Sequence, residues 1–160
     1  MKTAARFEHV SSAQYAADTN NMTVLPLEEI PLPRRATAGS AGYDFVSSLT
    51  VTMQPGESAL IPTGIRACIQ PGWVLLLFPR SSLGFKHNVR LSNTVGVVDS
   101  DYYDAKNEGH IHLKLFNAGD HTVTIQAGER FCQGVFVPYG IAEGDDTDAG
   151  RVGGMGSTGV

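Results

Sequence analysis

The sequence predicts an all-β domain, a sandwich or a jelly roll, and three observations lead there. Helical periodicity is scarce. Short apolar runs recur, punctuated by 18 glycines and 8 prolines. Three of the breaks share one form: "QPGE" at 54–57, "QPGW" at 70–73 and "QAGE" at 126–129. In a type II turn the third residue takes a positive φ, which glycine accepts without a Cβ penalty, while proline pre-sets the second. Many short strands joined by such turns form an antiparallel β protein.

The elements follow in order. Residues 1–22 are polar and weakly patterned, with "FEHVSS" as a candidate first strand. "SAGYDF" at 40–45 starts a strand at a glycine turn, and "SALIPTGIRACI" and "WVLLLF" are the next runs. "FPRSSLGFKHN" predicts a short helix beginning at Ser81. "TVGVVD", "IHLKLF", "HTVTIQ" and "RFCQGVFVP" complete the strands, with "NAGD" at 117–120 as another turn. Residues 1–140 make one β domain. Residues 141–160 carry an acidic run and then glycines at 153, 154, 156 and 159, a composition that buries little apolar surface and predicts a flexible arm.

Composition removes several function classes. A formal net charge of −4 argues against a nucleic-acid or membrane-surface binder, which would carry a basic stripe. The run "WVLLLF" is far shorter than the roughly 20 residues of a membrane span. The start "MKTAARFEHVSSAQ" has no apolar signal core, so a cytoplasmic location is expected. Cys68 and Cys132 lie in apolar runs and read as buried, reduced thiols.

Four stretches offer chemistry. "GVVDSDYYDAKNEGH" places Asp99, Asp101, Tyr102, Tyr103 and Asp104 at the end of an apolar strand. "PRSS" sets Arg80, Ser81 and Ser82 where a helix start would make an anion site; the alternative is a plain helix cap beside a surface arginine. Asp44 is either a turn residue or an acid aimed at a site. The tail holds Gly154-Met155-Gly156-Ser157-Thr158-Gly159, which lacks the following helix of a dinucleotide fingerprint and the lysine of a Walker loop. Its glycine amides, two hydroxyls and Arg151 still suit phosphate oxygens; the alternative is a passive tail. His110 and His112 alternate on one strand, with His87 and His121 as conceivable companions. They read as surface histidines rather than a zinc site, and Lys114 on the same face opposes a dication. Together these pieces suit a nucleoside triphosphate with Mg²⁺ and a carboxylate base for water.

Five stretches resemble, in order, the motifs of the trimeric all-β dUTP pyrophosphatases (dUTPases): "AGYDF" (41–45), "PRSS" (79–82), "NTVGVVDSDYY" (93–103), "GERFCQGVF" (128–136) and "RVGGMGSTG" (151–159). The resemblance implies a jelly-roll-like β-sandwich or barrel. It implies a homotrimer with a mobile C-terminal arm, in which each active site draws on three subunits. It implies hydrolysis of dUTP to dUMP and pyrophosphate, which keeps uracil out of DNA and supplies dUMP for thymidylate synthesis. Carried onto this chain, Asp99 is the general base that activates water. Asn93 and Gly96, Val97 and Val98 read the uracil edge. Tyr102 packs under the deoxyribose and leaves no room for a 2′-hydroxyl. Arg80, Ser81, Ser82 and Gln133 hold the phosphates, and Asp44 contacts the water shell of the Mg²⁺ cofactor. Arg151, Met155, Gly156, Ser157 and Thr158 of a neighbour's arm close over the substrate. Asp101 is expected to fix the turn by pairing with Arg80. The resemblance names no regulatory protein partner.

Three departures stand out. "DYYDAKNEGHI" is longer than the commoner family form, and the extra residues are expected on the solvent side. The last motif has one residue fewer between Arg151 and the glycine pair. Met155 stands where a phenylalanine usually stacks on uracil. The related dCTP deaminases share the fold but carry a catalytic glutamate where this chain has Lys114. A third reading keeps the fold as a non-enzymatic binder with a weakened site; the presence of Asp99 opposes it.

Overall fold

A computed structural model describes residues 2–147. Its strands, in order, are β1 (Ala5–His9), β2 (Arg34–Arg35), β3 (Tyr43–Val46), β4 (Val51–Met53), β5 (Ser58–Pro62) and β6 (Ile65–Ile69). They continue as β7 (Trp73–Pro79), β8 (Val89–Leu91), β9 (Gly96–Val98), β10 (His112–Asn117), β11 (Val123–Ile125) and β12 (Arg130–Pro138). Two short helices interrupt them, α1 (Ser12–Asp18) and α2 (Ser81–His87). The ladders are antiparallel and form four open sheets, β2-β3-β12-β7-β9, β5-β10-β8, β1-β6 and β11-β4.

The three repeated turns form as their residues dictate. Gly56, Gly72 and Gly128 take φ of 83°, 82° and 81°. Each turn closes with the amide of its fourth residue donating to the carbonyl of its first, at 3.0, 3.2 and 3.0 Å. "NAGD" turns differently: the Gly119 amide donates to the Asn117 side-chain oxygen at 3.0 Å. The run "SALIPTGIRACI" is two strands. It breaks at Gly64, where φ is +72° and a Cβ would lie 2.8 Å from Leu27 Cδ1.

Alternation decides which side chains enter the core. Leu75 and Leu77 of β7 and Leu113 and Leu115 of β10 are buried, while Lys114 between the latter is exposed. In β12 the ladder to β3 shifts between Arg130 and Cys132, so Phe131 and Cys132 are both buried in succession. That bulge also sets Gln133 opposite Asp44. Cys132 donates its thiol to the Phe78 carbonyl at 2.9 Å, and burial pushes its pKa up to about 12. Cys68 is half-buried.

The N-terminal segment is more ordered than its polarity suggests. β1 pairs with β6, and Ser11 caps α1 by accepting from the Gln14 amide at 3.1 Å. Ser11-Ser12-Ala13-Gln14 is a capping-box spacing, the one local signal that announces this helix.

Candidate active site

Two pockets collect the residues that the sequence singled out. The first, of about 480 Å³, lies along β9 and is lined by Asn93, Gly96, Val97, Val98, Asp99 and Tyr102, with His112 and Lys114 from β10. β9 is an edge strand: it pairs with β7 on one side, Leu75 opposite Val98 and Leu77 opposite Gly96. Its other edge faces out with backbone donors and acceptors that no strand among the described residues covers. Gly96 lets β9 lie close, since a Cβ there would sit 3.1 Å from Leu77 Cβ. The hairpin feeding β9 turns at Thr94, a β-branched residue at φ 70°. Such strain persists only where the surroundings enforce it.

Asp99 follows β9 as an exposed residue at the start of the 3₁₀ turn Ser100–Asp104. Tyr102 in that turn is buried, and its hydroxyl donates to the His110 carbonyl at 2.8 Å. The Asn107 amide donates to the same hydroxyl at 2.8 Å, so the Tyr102 oxygen is held from both sides.

The second pocket, of about 210 Å³, is lined by Gly42, Asp44, Arg80, Ser81, Ser82 and Gln133. β3 supplies Asp44, Arg80 caps the start of α2 just after β7, the first turn of α2 supplies both serines, and β12 supplies Gln133. Gly42 makes room for Gln133, whose Oε1 lies 2.7 Å from where a Cβ would stand. Arg80 Nε meets Asp44 Oδ1 at 3.4 Å, and Arg130 Nη1 donates to Asp44 Oδ2 at 3.1 Å. Within one chain, Arg80 thus meets the Asp44 carboxylate. The two pockets share no lining residue. Arg151, Met155, Gly156, Ser157 and Thr158 lie outside the described residues.

Two expectations are corrected. The longer loop after Tyr103 faces solvent only in part: Asp104 and Lys106 are exposed, but its other residues are wholly or partly buried. Ala105, Gly109 and His110 in it are buried, and Glu108 accepts from the Ser11 amide and hydroxyl at 2.8 and 2.7 Å. Those bonds hold the Glu108 carboxyl below its ordinary pKa. Tyr103 donates to Glu8 at 2.6 Å beneath the Arg66 guanidinium, 4.3 Å from the ring centre.

His110 and His112 are not surface histidines. His110 is fully buried and His112 mostly so. With Asp18 they form a cluster: His110 Nδ1 to Asp18 Oδ2 is 2.6 Å, and His112 Nε2 to His110 Nδ1 is 3.0 Å. The Gly64 amide donates to His110 Nε2 at 2.8 Å, so the neutral ring carries its proton on Nδ1. The centre of the cluster thus holds a proton, and His110 offers no lone pair there to a metal. His87 and His121 form a separate pair at 3.0 Å. Burial lowers the His110 pKa to about 4 despite the bond to Asp18. Burial pushes the Asp18 carboxyl up, but bonds from Gln14 and His110 outweigh it and hold it below its ordinary value.

Comparison with known proteins places this chain in a lineage. The family model described as dUTPase matches residues 28–159. The chain is 47% identical over 134 residues to the deoxyuridine 5'-triphosphate nucleotidohydrolase of Lactococcus lactis, covering 82% of this chain and 89% of that one. It is 42% identical over 141 residues to the Escherichia coli protein of the same name, with the same shares covered. Among solved structures it resembles the dUTPase from Streptococcus mutans, with TM-score 0.69, 40% identity, and 86% and 98% of the two chains covered. A phage phi11 dUTPase, in which a structural Mg(II) ion is coordinated, shares the fold at 21% identity and TM-score 0.67, covering 92% of this chain and 98% of that one.

Proposed function

Because this chain belongs to the dUTPase family, we propose a division of labour for the hydrolysis of dUTP that it performs. The β9 pocket takes the nucleoside. Asn93 and the open backbone edge of Gly96–Val98 bond the uracil edge, and the narrow hairpin excludes larger bases. Tyr102 forms the floor under the deoxyribose. The observation that carries this reading is the juxtaposition in one pocket of an uncovered strand edge, a buried tyrosine and the exposed carboxylate of Asp99. Asp99 accepts the proton of a water as the water oxygen attacks the α-phosphorus. The products are dUMP and pyrophosphate.

The second pocket takes the phosphates. Arg80, fixed in direction by Asp44, donates to them with Ser81, Ser82 and the Gln133 amide. The two pockets share no lining residue, and a complete site that joins the β9 pocket of one subunit to the Arg80 pocket of another fits this arrangement. This supports a homotrimer with three shared sites. The arm residues Arg151, Met155, Gly156, Ser157 and Thr158 close over the bound nucleotide.

The donor set fits Mg²⁺ held through its waters. Both Asp44 oxygens already face guanidinium groups, so Asp44 is suited to accept from metal-bound water rather than to coordinate directly. Mg²⁺ ordinarily keeps several waters and binds through substrate phosphates. When bound it neutralises triphosphate charge; the protein's own share is to orient the phosphates through Arg80, Ser81, Ser82 and Gln133.

Pyrophosphate release from dUTP tests the reading. Asp99→Asn should retain nucleotide binding and lose turnover by about a hundredfold or more. Near-normal turnover in that variant removes Asp99 as the base. Light scattering should give about three times the 17.1 kDa chain mass, and an active monomer would exclude the shared site.

A further inference from the structure

The N-terminal segment before residue 28 lies outside the family match, yet it grips the loop that follows Asp99. Three contacts join them. Tyr103 donates to Glu8, the Ser11 amide and hydroxyl donate to Glu108, and His110 Nδ1 donates to Asp18 Oδ2 at 2.6 Å. Each pairs a carboxylate with a donor, the stronger kind of hydrogen bond. All three partners on the loop lie between Asp99 and Ile111, the stretch that carries Tyr102. Asp18 sits in the last turn of α1, the end at which a carboxylate is unfavourable to a helix. Its place is explained by what it holds.

We infer that Asp18 is a positioning residue for the nucleoside pocket, acting through His110 on Tyr102. The Gly64 amide and the Asp18 carboxylate hold opposite nitrogens of the His110 ring, at 2.8 and 2.6 Å. The carbonyl of the same residue accepts from Tyr102, the residue at the pocket floor. Without Asp18 the Nδ1 proton loses its strongest acceptor. The Gly64 amide still keeps that proton on Nδ1, so the ring must turn to give it to His112 Nε2, 3.0 Å away, which strains the Gly64 contact on its other nitrogen. His110 and its carbonyl shift to relieve that strain, and the Tyr102 floor loosens. A loose floor admits a 2′-hydroxyl more readily, because discrimination against one added hydroxyl depends on how firmly the wall is held.

This inference rests on the assignment of Tyr102 to the sugar, so its test has one readout that depends on hydrolysis and one that does not. In the full-length enzyme, Asp18→Ala should lower the ratio of kcat/KM for dUTP over UTP about tenfold, with the loss for dUTP falling mainly on KM. Asp18→Asn keeps an acceptor oxygen for Nδ1–H and should restore most of the ratio. Ser11→Ala, a milder exposed change, should move the ratio in the same direction by about threefold and serves if Asp18→Ala does not fold. Independently, amide hydrogen exchange across residues 100–111 should rise in Asp18→Ala and return toward normal in Asp18→Asn. A wild-type chain inactive on dUTP would overturn the proposed function, and the exchange data alone would then decide this inference. Unchanged exchange and an unchanged ratio in the variants, or Asp18→Asn behaving like Asp18→Ala, would overturn the role of Asp18.

Discussion

Lowering the pH should destabilise this protein well before its carboxylates titrate, and His110 is the reason. Its ring is fully buried, and burial lowers its pKa from 6.5 to about 4. In the unfolded chain the ring is exposed and takes a proton near its ordinary value. Between the two values the unfolded state therefore binds more protons than the folded state, and stability rises with pH across that window. The full shift corresponds to about 3 kcal/mol at 1.36 kcal/mol per unit. From about pH 7 to about pH 5 the loss is roughly 2 kcal/mol by the same linkage. His112, also lowered by burial, acts in the same direction. The lowered carboxyls Glu8, Asp18 and Glu108 lose their contributions only below their ordinary values, so they do not shape this window. Urea unfolding at fixed protein concentration, repeated across the window, measures the slope. His110→Gln supplies an oxygen to accept from Gly64 and an amide to donate to Asp18 but cannot titrate, so its slope should be markedly smaller. A wild-type stability that is flat from about pH 5 to about pH 7, or an equal slope in His110→Gln, would refute the reasoning.

Further outcomes are expected for four variants. Gly109→Ala should destabilise by about 2 kcal/mol or more and raise KM for dUTP, because φ is +69° and the new Cβ would lie 2.7 Å from the Tyr102 carbonyl oxygen. Gly56→Ala, at φ +83° with open space around it, should cost only about 1 kcal/mol; thermal melts giving equal losses would remove the steric part of the argument. Deleting residues 150–160 should lower kcat/KM at least about a hundredfold, while Met155→Phe keeps or raises it; a truncated chain at the full-length rate would make the arm passive.

The sequence alone determined what depends on neighbouring residues. A glycine at the third place of "QPGE" closes a turn wherever the chain goes, and alternation in "IHLKLF" exposes Lys114 between buried leucines in any sheet. Ordered motifs identified the family, and with it the residues that line both pockets. Tertiary structure decided what depends on distant residues meeting. Nothing local to His110 announces Asp18, 92 positions earlier, or that Gly64 will donate to its other nitrogen. So the histidines that read as surface residues are buried, and the loop that read as a solvent-side insertion is gripped by the N-terminal segment. Nor does the order of motifs reveal that Asp99 and Arg80 line separate pockets of one chain. Turn chemistry and strand periodicity act through covalent neighbours, whereas burial and proton placement arise only when surfaces far apart in sequence are packed together.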